Sequence, residues 1–120
     1  MFYAADIDNK FDDVWGSLFA VHLGLVPEQW VAQAIVDHVA ANRSNIFQSG
    51  QVRHLIYPQL WERCIETCPT PGTYQNGGFW ATPLAWVLPV LAKYGYEDLA
   101  VELFNAAVFN FRLIGIMECS

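Results

Sequence analysis

Three aromatic rings, two side-chain amides and three glycines fall within the nine residues Gly72-Thr73-Tyr74-Gln75-Asn76-Gly77-Gly78-Phe79-Trp80. Aromatic faces stack on the apolar C–H faces of a pyranose, and an amide offers sugar hydroxyls both a donor and an acceptor. Asn76-Gly77 supplies a tight turn to present them, since glycine and then asparagine best tolerate positive φ. Tyr74, Gln75, Asn76 and Trp80 are therefore the candidate carbohydrate-contacting residues. The plainer reading of the same stretch is a helix-entry loop with its rings in the core. The glycines do not read as a phosphate cradle, because the lysine and the preceding strand are missing.

Glycosidic bond cleavage generally needs two carboxyl groups flanking the bond. Asp6, Asp8, Asp12, Asp13, Glu62 and Glu118 lie near expected loop or helix ends. Asp12 and Asp13 would diverge by about 100° on a helix, so they form no ready pair. Their simpler use is to stabilise a helix N-terminus. No acid and base can be assigned. Trp86, six positions beyond Trp80, turns away from it and reads as core. Trp15, Trp30 and Trp61 read as packing residues, and Trp61-Glu62-Arg63 as an amphipathic turn with an exposed ion pair. Cys64 and Cys68 lack a second pair, and His22, His38 and His54 recur at sixteen-residue intervals with no ligand motif. Neither a metal site nor a cofactor is expected. Reduced thiols are the default, and a thiol oxidoreductase would want a CxxC that is missing.

Hydrophobic residues make up 54 % of the 120-residue chain and charged ones 15 %, with a net charge of −6. So apolar a composition in a chain of one-domain length predicts exposed apolar surface and self-association as a homo-oligomer. Six scattered Lys and Arg cannot form the basic stripe that nucleic acid or an anionic membrane requires. No apolar run is long enough to cross a bilayer, and the N-terminus lacks the features of a signal peptide.

These residues need elements to position them. Phe11, Val14, Trp15, Leu18, Phe19, His22 and Leu25 recur at helical spacing after Asp8 and Asn9, with Gly24 near the end. Pro27 and Glu28 then suit the start of a second helix, which carries Trp30, Val31, Ala34, Ile35, His38 and Val39 to about Asn42. From Arg43 to Tyr57 the periodicity fails. Ser49-Gly50 reads as a turn, Gln51–Ile56 as a short extended segment, Pro58 as the opening of a short helix, and Cys68–Gly72 as loop. Thr82-Pro83 opens a third helix, with Leu84, Val87, Leu88 and Leu91 inward and Pro89 inside it. Gly95 suits a left-handed cap with Tyr96 packing back. Leu99, Ala100, Leu103, Phe104, Ala107, Val108 and Phe111 make a fourth helix. Two antiparallel hairpins of similar plan follow, and the chain reads as one all-α unit spanning residues 1–120.

The run from Gly72 to Pro83, then Trp86 and Tyr94-Gly95-Tyr96-Glu97-Asp98-Leu99-Ala100, resembles the late part of the six-hairpin glycosidase superfamily. Asp6-Ile7-Asp8-Asn9-Lys10-Phe11-Asp12-Asp13-Val14-Trp15 through Gly24-Leu25 is similar to a preceding hairpin in such proteins. The resemblance implies a partial α/α toroid, a carbohydrate partner, and acid/base cleavage of glycosidic bonds in a longer parent. In that family the loop corresponding to Tyr74, Gln75, Asn76 and Trp80 faces the cleft. Six hairpins at about 12 residues per helix would exceed this length, so the chain reads as a fragment that binds sugar weakly and turns little over. The alternative is a helical module for protein interaction or self-association without catalysis.

Overall fold

The computed structural model describes residues 1–4, 10–61, 70–73 and 76–115. Among these residues there are five helices: α1 (Val14–His22), α2 (Gln29–Ala41), the short α3 (Arg43–Ile46), α4 (Leu84–Lys93) and α5 (Glu97–Ile114). They share the chain with two small antiparallel sheets. One pairs β1 (Tyr3–Ala4) with β2 (Phe11–Asp12); the other has the order β3 (Phe47–Gln48), β4 (Gln51–Arg53), β5 (Phe79–Trp80). The chain is therefore mixed α/β, and the all-α toroid segment expected from the sequence is corrected. Strands of two or three residues are too short for an alternating pattern to emerge. The Phe79–Trp80 segment, expected as part of an aromatic turn before a helix, is instead an edge strand, pairing Val52 with Trp80 and Arg53 with Phe79.

The helices follow the chemistry of their ends. Asp13 caps α1 through a 2.8 Å bond from the Gly16 N–H, in place of the expected Asp8 and Asn9, which lie outside the described residues. At the other end Gly24 adopts φ +71°, and the Leu25 and Gly24 N–H groups bond to the Ala20 and Val21 carbonyls. That is the paired closure of a left-handed helix cap. The same device ends α4, where Gly95 stands at φ +95° and the Tyr96 N–H reaches the Leu91 carbonyl at 2.8 Å. Residues 58–61 form no helix. Pro89 lies inside α4 on its exposed side, where its missing donor leaves the ladder open to water rather than to the core.

Leu84, Val87, Val90 and Leu91 of α4 meet Leu99, Ala100, Leu103 and Ala107 of α5, and α1 lies across α4 with Val14, Leu18 and Val21 buried. The second helix adds Ala32, Ile35, Val36 and Val39. It is tied to the α4–α5 turn by Gln33 donating to the Tyr94 carbonyl at 3.0 Å and Tyr96 donating to Asp37 at 2.6 Å. The Tyr96 hydroxyl and then Gln33 hold the Asp37 carboxyl below its ordinary range. Several expected core residues face water: Trp30 is 75 % exposed, Phe104 55 % and Phe19 43 %. Helical spacing places residues on a face, but it does not say how wide a stripe the neighbours can cover.

The β3–β4 turn is Ser49-Gly50, with φ of +52° and +73°, as a two-residue hairpin with the strands' own twist requires. A Cβ added to Gly50 would sit 2.3 Å from the Ala107 backbone nitrogen, so the turn is pressed against α5. Gly24 has a similar φ but open space around it. Gly24→Ala should cost about 1 kcal/mol, the left-handed penalty alone. Gly50→Ala adds overpacking and should cost about 2–5 kcal/mol. Urea unfolding checks this, and equal losses would show that the turn does not lock the sheet onto α5.

Candidate functional site

Of the residues read as sugar-contacting, Tyr74 and Gln75 lie outside the described residues. Asn76 is 1 % exposed, and its amide oxygen accepts the Trp61 N–H at 2.6 Å while its amide nitrogen donates to the Trp61 carbonyl at 3.2 Å. That side chain clamps a backbone segment, so its donor and acceptor are engaged within the protein. Trp80 is half-buried in β5, with its ring edge-on to Trp15 at 6.0 Å. The structure thus brings Trp80 toward an aromatic cluster, and that cluster lies beside α1.

The cluster surrounds an open cleft of about 290 Å³ lined by Asp13, Trp15, Gly16, Phe19, His54 and Trp86. Trp86 comes from α4, where its indole N–H donates to the Trp15 carbonyl at 3.2 Å, which fixes the ring across the two helices. Phe19 packs against it with centroids 5.2 Å apart. Trp15 sits over the His54 ring at 4.8 Å, and Trp61 stands 6.2 Å from His54 on another side. Trp86 and Phe19, both read as core from the sequence, are wall residues here.

Asp13 and His54 supply the polar part. His54 Nε2 lies 3.0 Å from Asp13 Oδ1, with the two side chains 17 % and 23 % exposed. Burial raises the Asp13 carboxyl, but the His54 ring, the Gly16 and Trp15 N–H groups and the His54 charge together outweigh it, so the net shift is downward. An ionised Asp13 can only accept, so Nε2 must carry the hydrogen. In a neutral ring Nδ1 is then the acceptor. Among the described residues that atom is buried without a hydrogen-bond partner, as is the Trp15 indole nitrogen. Uncompensated polar atoms of this kind are uncommon in a packed interior and call for an explanation.

Chemically, the cleft sets apolar rings beside a carboxylate–imidazole pair. A carboxyl held low is the opposite of the protonated acid that opens a glycosidic bond. Asp12, its neighbour, turns away to meet His38 Nε2 at 3.3 Å, so the two carboxylates do not converge on one ligand. Among the described residues, no three His, Cys, Asp or Glu side chains gather to hold a metal ion. Asp6, Asp8, Glu62, Glu118 and the three cysteines lie outside the described residues. No described helix is long and apolar enough to cross a membrane. The sequence exposed Asp13, His54 and Trp86 as single residues but held no local signal for their meeting, since Asp13 and His54 are 41 positions apart.

The lowered Asp13 sets the sign of a pH effect. Its contribution is present above the unfolded carboxylate value of about 3.9 and is lost as pH falls through the lower folded value. Asp13→Asn keeps a good helix cap but removes the charge. The urea midpoint of the wild type should exceed that of the variant at neutral pH, and the gap should close as acid takes the pH below the ordinary carboxylate range. A gap unchanged by acid would show that the charge on Asp13 does not matter. No family model, characterised protein or solved structure matches this chain.

Proposed function

We propose that the chain binds carbohydrate, with one sugar ring received in the cleft between Trp15, Phe19 and Trp86 and its hydroxyls met by the Asp13 carboxylate, which His54 holds in place. The observation that supports this most is the pairing of aromatic walls with a fixed Asp–His hydrogen bond in one cleft. Rings recognise the C–H faces of a pyranose, and a carboxylate beside an imidazole recognises its hydroxyls. The cleft lies at the small end of ligand pockets, which begin at about 300 Å³, so it suits a single ring rather than a long chain. The reading agrees with the carbohydrate context implied by the six-hairpin glycosidase resemblance, but moves the contacts from the glycine-rich loop to α1, His54 and α4. Cleavage would need a proton donor other than Asp13, so binding without appreciable turnover is the activity proposed for these residues.

Titration calorimetry and indole NMR with glucose, rhamnose, maltose and cellobiose test it. At least one should bind and shift the Trp15 and Trp86 signals. Trp86→Ala should weaken that binding by about 1–3 kcal/mol, in line with the loss of an aromatic platform. Silence of both indoles toward all four sugars would refute the reading.

A second reading, self-association, is favoured by α5. Val101, Phe104, Phe109 and Leu113 stand 53–66 % exposed along one helix, which is uneconomical surface for an isolated monomer. Light scattering should then show a dimer or larger species that Phe104→Glu dissociates. A monomeric wild type would dismiss this reading and leave the cleft untouched.

A further inference from the structure

We infer that Arg53 and the pocket beside it form a binding site for a small oxyanion, a carboxylate above all, separate from the aromatic cleft. The pocket has a volume of about 200 Å³ and is lined by Arg53, Tyr57, Gln59 and Leu60 on one stretch of chain and by Pro71, Gly72 and Gly77 on another. Arg53 ends β4, and its neighbour His54 serves the cleft. The linings of the two pockets share no residue, so the sites are distinct.

The guanidinium is held in place and, among the described residues, has no carboxylate paired to it. Its Nε donates to the Gly77 carbonyl at 3.0 Å and its Nη1 to Asn45 Oδ1 at 3.2 Å. The group lies over the Phe79 ring at 4.4 Å, with Tyr57 flanking at 5.9 Å. Both fixing acceptors are neutral. The ion pairs among the described residues are Asp12 with His38 and Asp13 with His54, and neither involves Arg53. Two of the five N–H donors of a guanidinium are used in this way, which leaves three. Burial lowers the Arg53 pKa and Tyr57 opposes the change, so the charge has lost some water, with no carboxylate beside it among the described residues.

The rest of the lining points the same way. Gln59 Oε1 accepts the Asp12 N–H at 3.3 Å, which turns its amide so that the remaining group is a donor. Tyr57 adds a hydroxyl, and among the described residues no carboxylate lines the pocket. The Gln59 amide and the Tyr57 hydroxyl therefore add donors beside a cation in a protein whose net charge is −6. A free anion is repelled by that overall field, so any that binds must be caught by this local arrangement. Guanidinium pairs carboxylate and phosphate through parallel N–H bonds, and lysine cannot reproduce the fork. The volume admits a small acid or the carboxylate end of a larger molecule, such as an acidic sugar.

The test is an NMR titration of the whole chain, following the Arg53 Nε–H signal. Acetate, glucuronate and phosphate are added at constant ionic strength, with chloride and glucose as controls. Acetate and glucuronate should give saturable shifts at Arg53 and leave the Trp86 indole in place, and the controls should give neither. Phosphate saturating where acetate does not would keep the oxyanion site and assign it to tetrahedral ligands. Arg53→Lys should weaken acetate binding about tenfold or more, and Gln59→Ala by a smaller factor. The inference is overturned if no oxyanion saturates the Arg53 signal, if chloride or glucose gives the same shift, or if a folded Arg53→Lys binds as well as the wild type. If Arg53→Lys does not fold, the wild-type Nε–H titration and Gln59→Ala decide alone. Failure here leaves the carbohydrate reading standing, because that is read at Trp15 and Trp86.

Discussion

One carboxylate, Asp13, joins the parts of this molecule that would otherwise have no common reference. Its side chain caps α1 and holds the His54 ring, while its own N–H donates to the Phe2 carbonyl at 2.8 Å. The next residue, Val14, donates to the His54 carbonyl at 3.1 Å, and Asp13 forms a bridge to Leu55. The N-terminal sheet, the first helix and the extension of β4 therefore meet within two residues. Gly16 belongs to this joint, since a Cβ there would lie 2.3 Å from the Asp13 carboxylate. A side chain at that position would push out the very group that caps the helix.

The cleft follows from that joint. Once Asp13 fixes the start of α1, Trp15 must stack near His54, and Phe19 emerges one helical turn further on. The α4 helix then crosses α1 with Trp86 hydrogen-bonded to the Trp15 carbonyl, so the far wall is referenced to the near one. The β3–β4–β5 sheet supplies the remaining side. It carries His54 toward the cleft and Arg53 away from it, and the Asn76 clamp on Trp61 keeps that ring beside His54. Aromatic residues that composition alone would assign to a core serve here as walls of the cleft.

Much of the helical part was legible in the residues. Gly24, Gly95 with Tyr96, and Ser49-Gly50 mark their turns for local reasons: a left-handed backbone position is needed and glycine meets it cheaply. The inward faces of α4 and the first half of α5 also follow from apolar spacing. The fold class did not, because two- and three-residue strands draw their stability from partners remote in sequence. Val52 pairs with Trp80 across a stretch that carries no strand signal. The site was illegible for the same reason. Asp13 looks like any helix-start acid, and His54 like an isolated imidazole, until the fold brings them together. Asn76 shows the converse: an amide in an aromatic loop has the right chemistry for a sugar, but its buried position turns that chemistry toward the Trp61 backbone.

The central claim is that an ionised Asp13 orients His54 within a cleft that receives a sugar. Long-range nitrogen–proton NMR of the His54 ring at neutral pH tests it most directly, recorded with and without saturating saccharide. The account predicts a hydrogen on Nε2, held toward Asp13, and ring signals that move when the sugar is added. A hydrogen on Nδ1 alone, or ring signals blind to every saccharide, would contradict it.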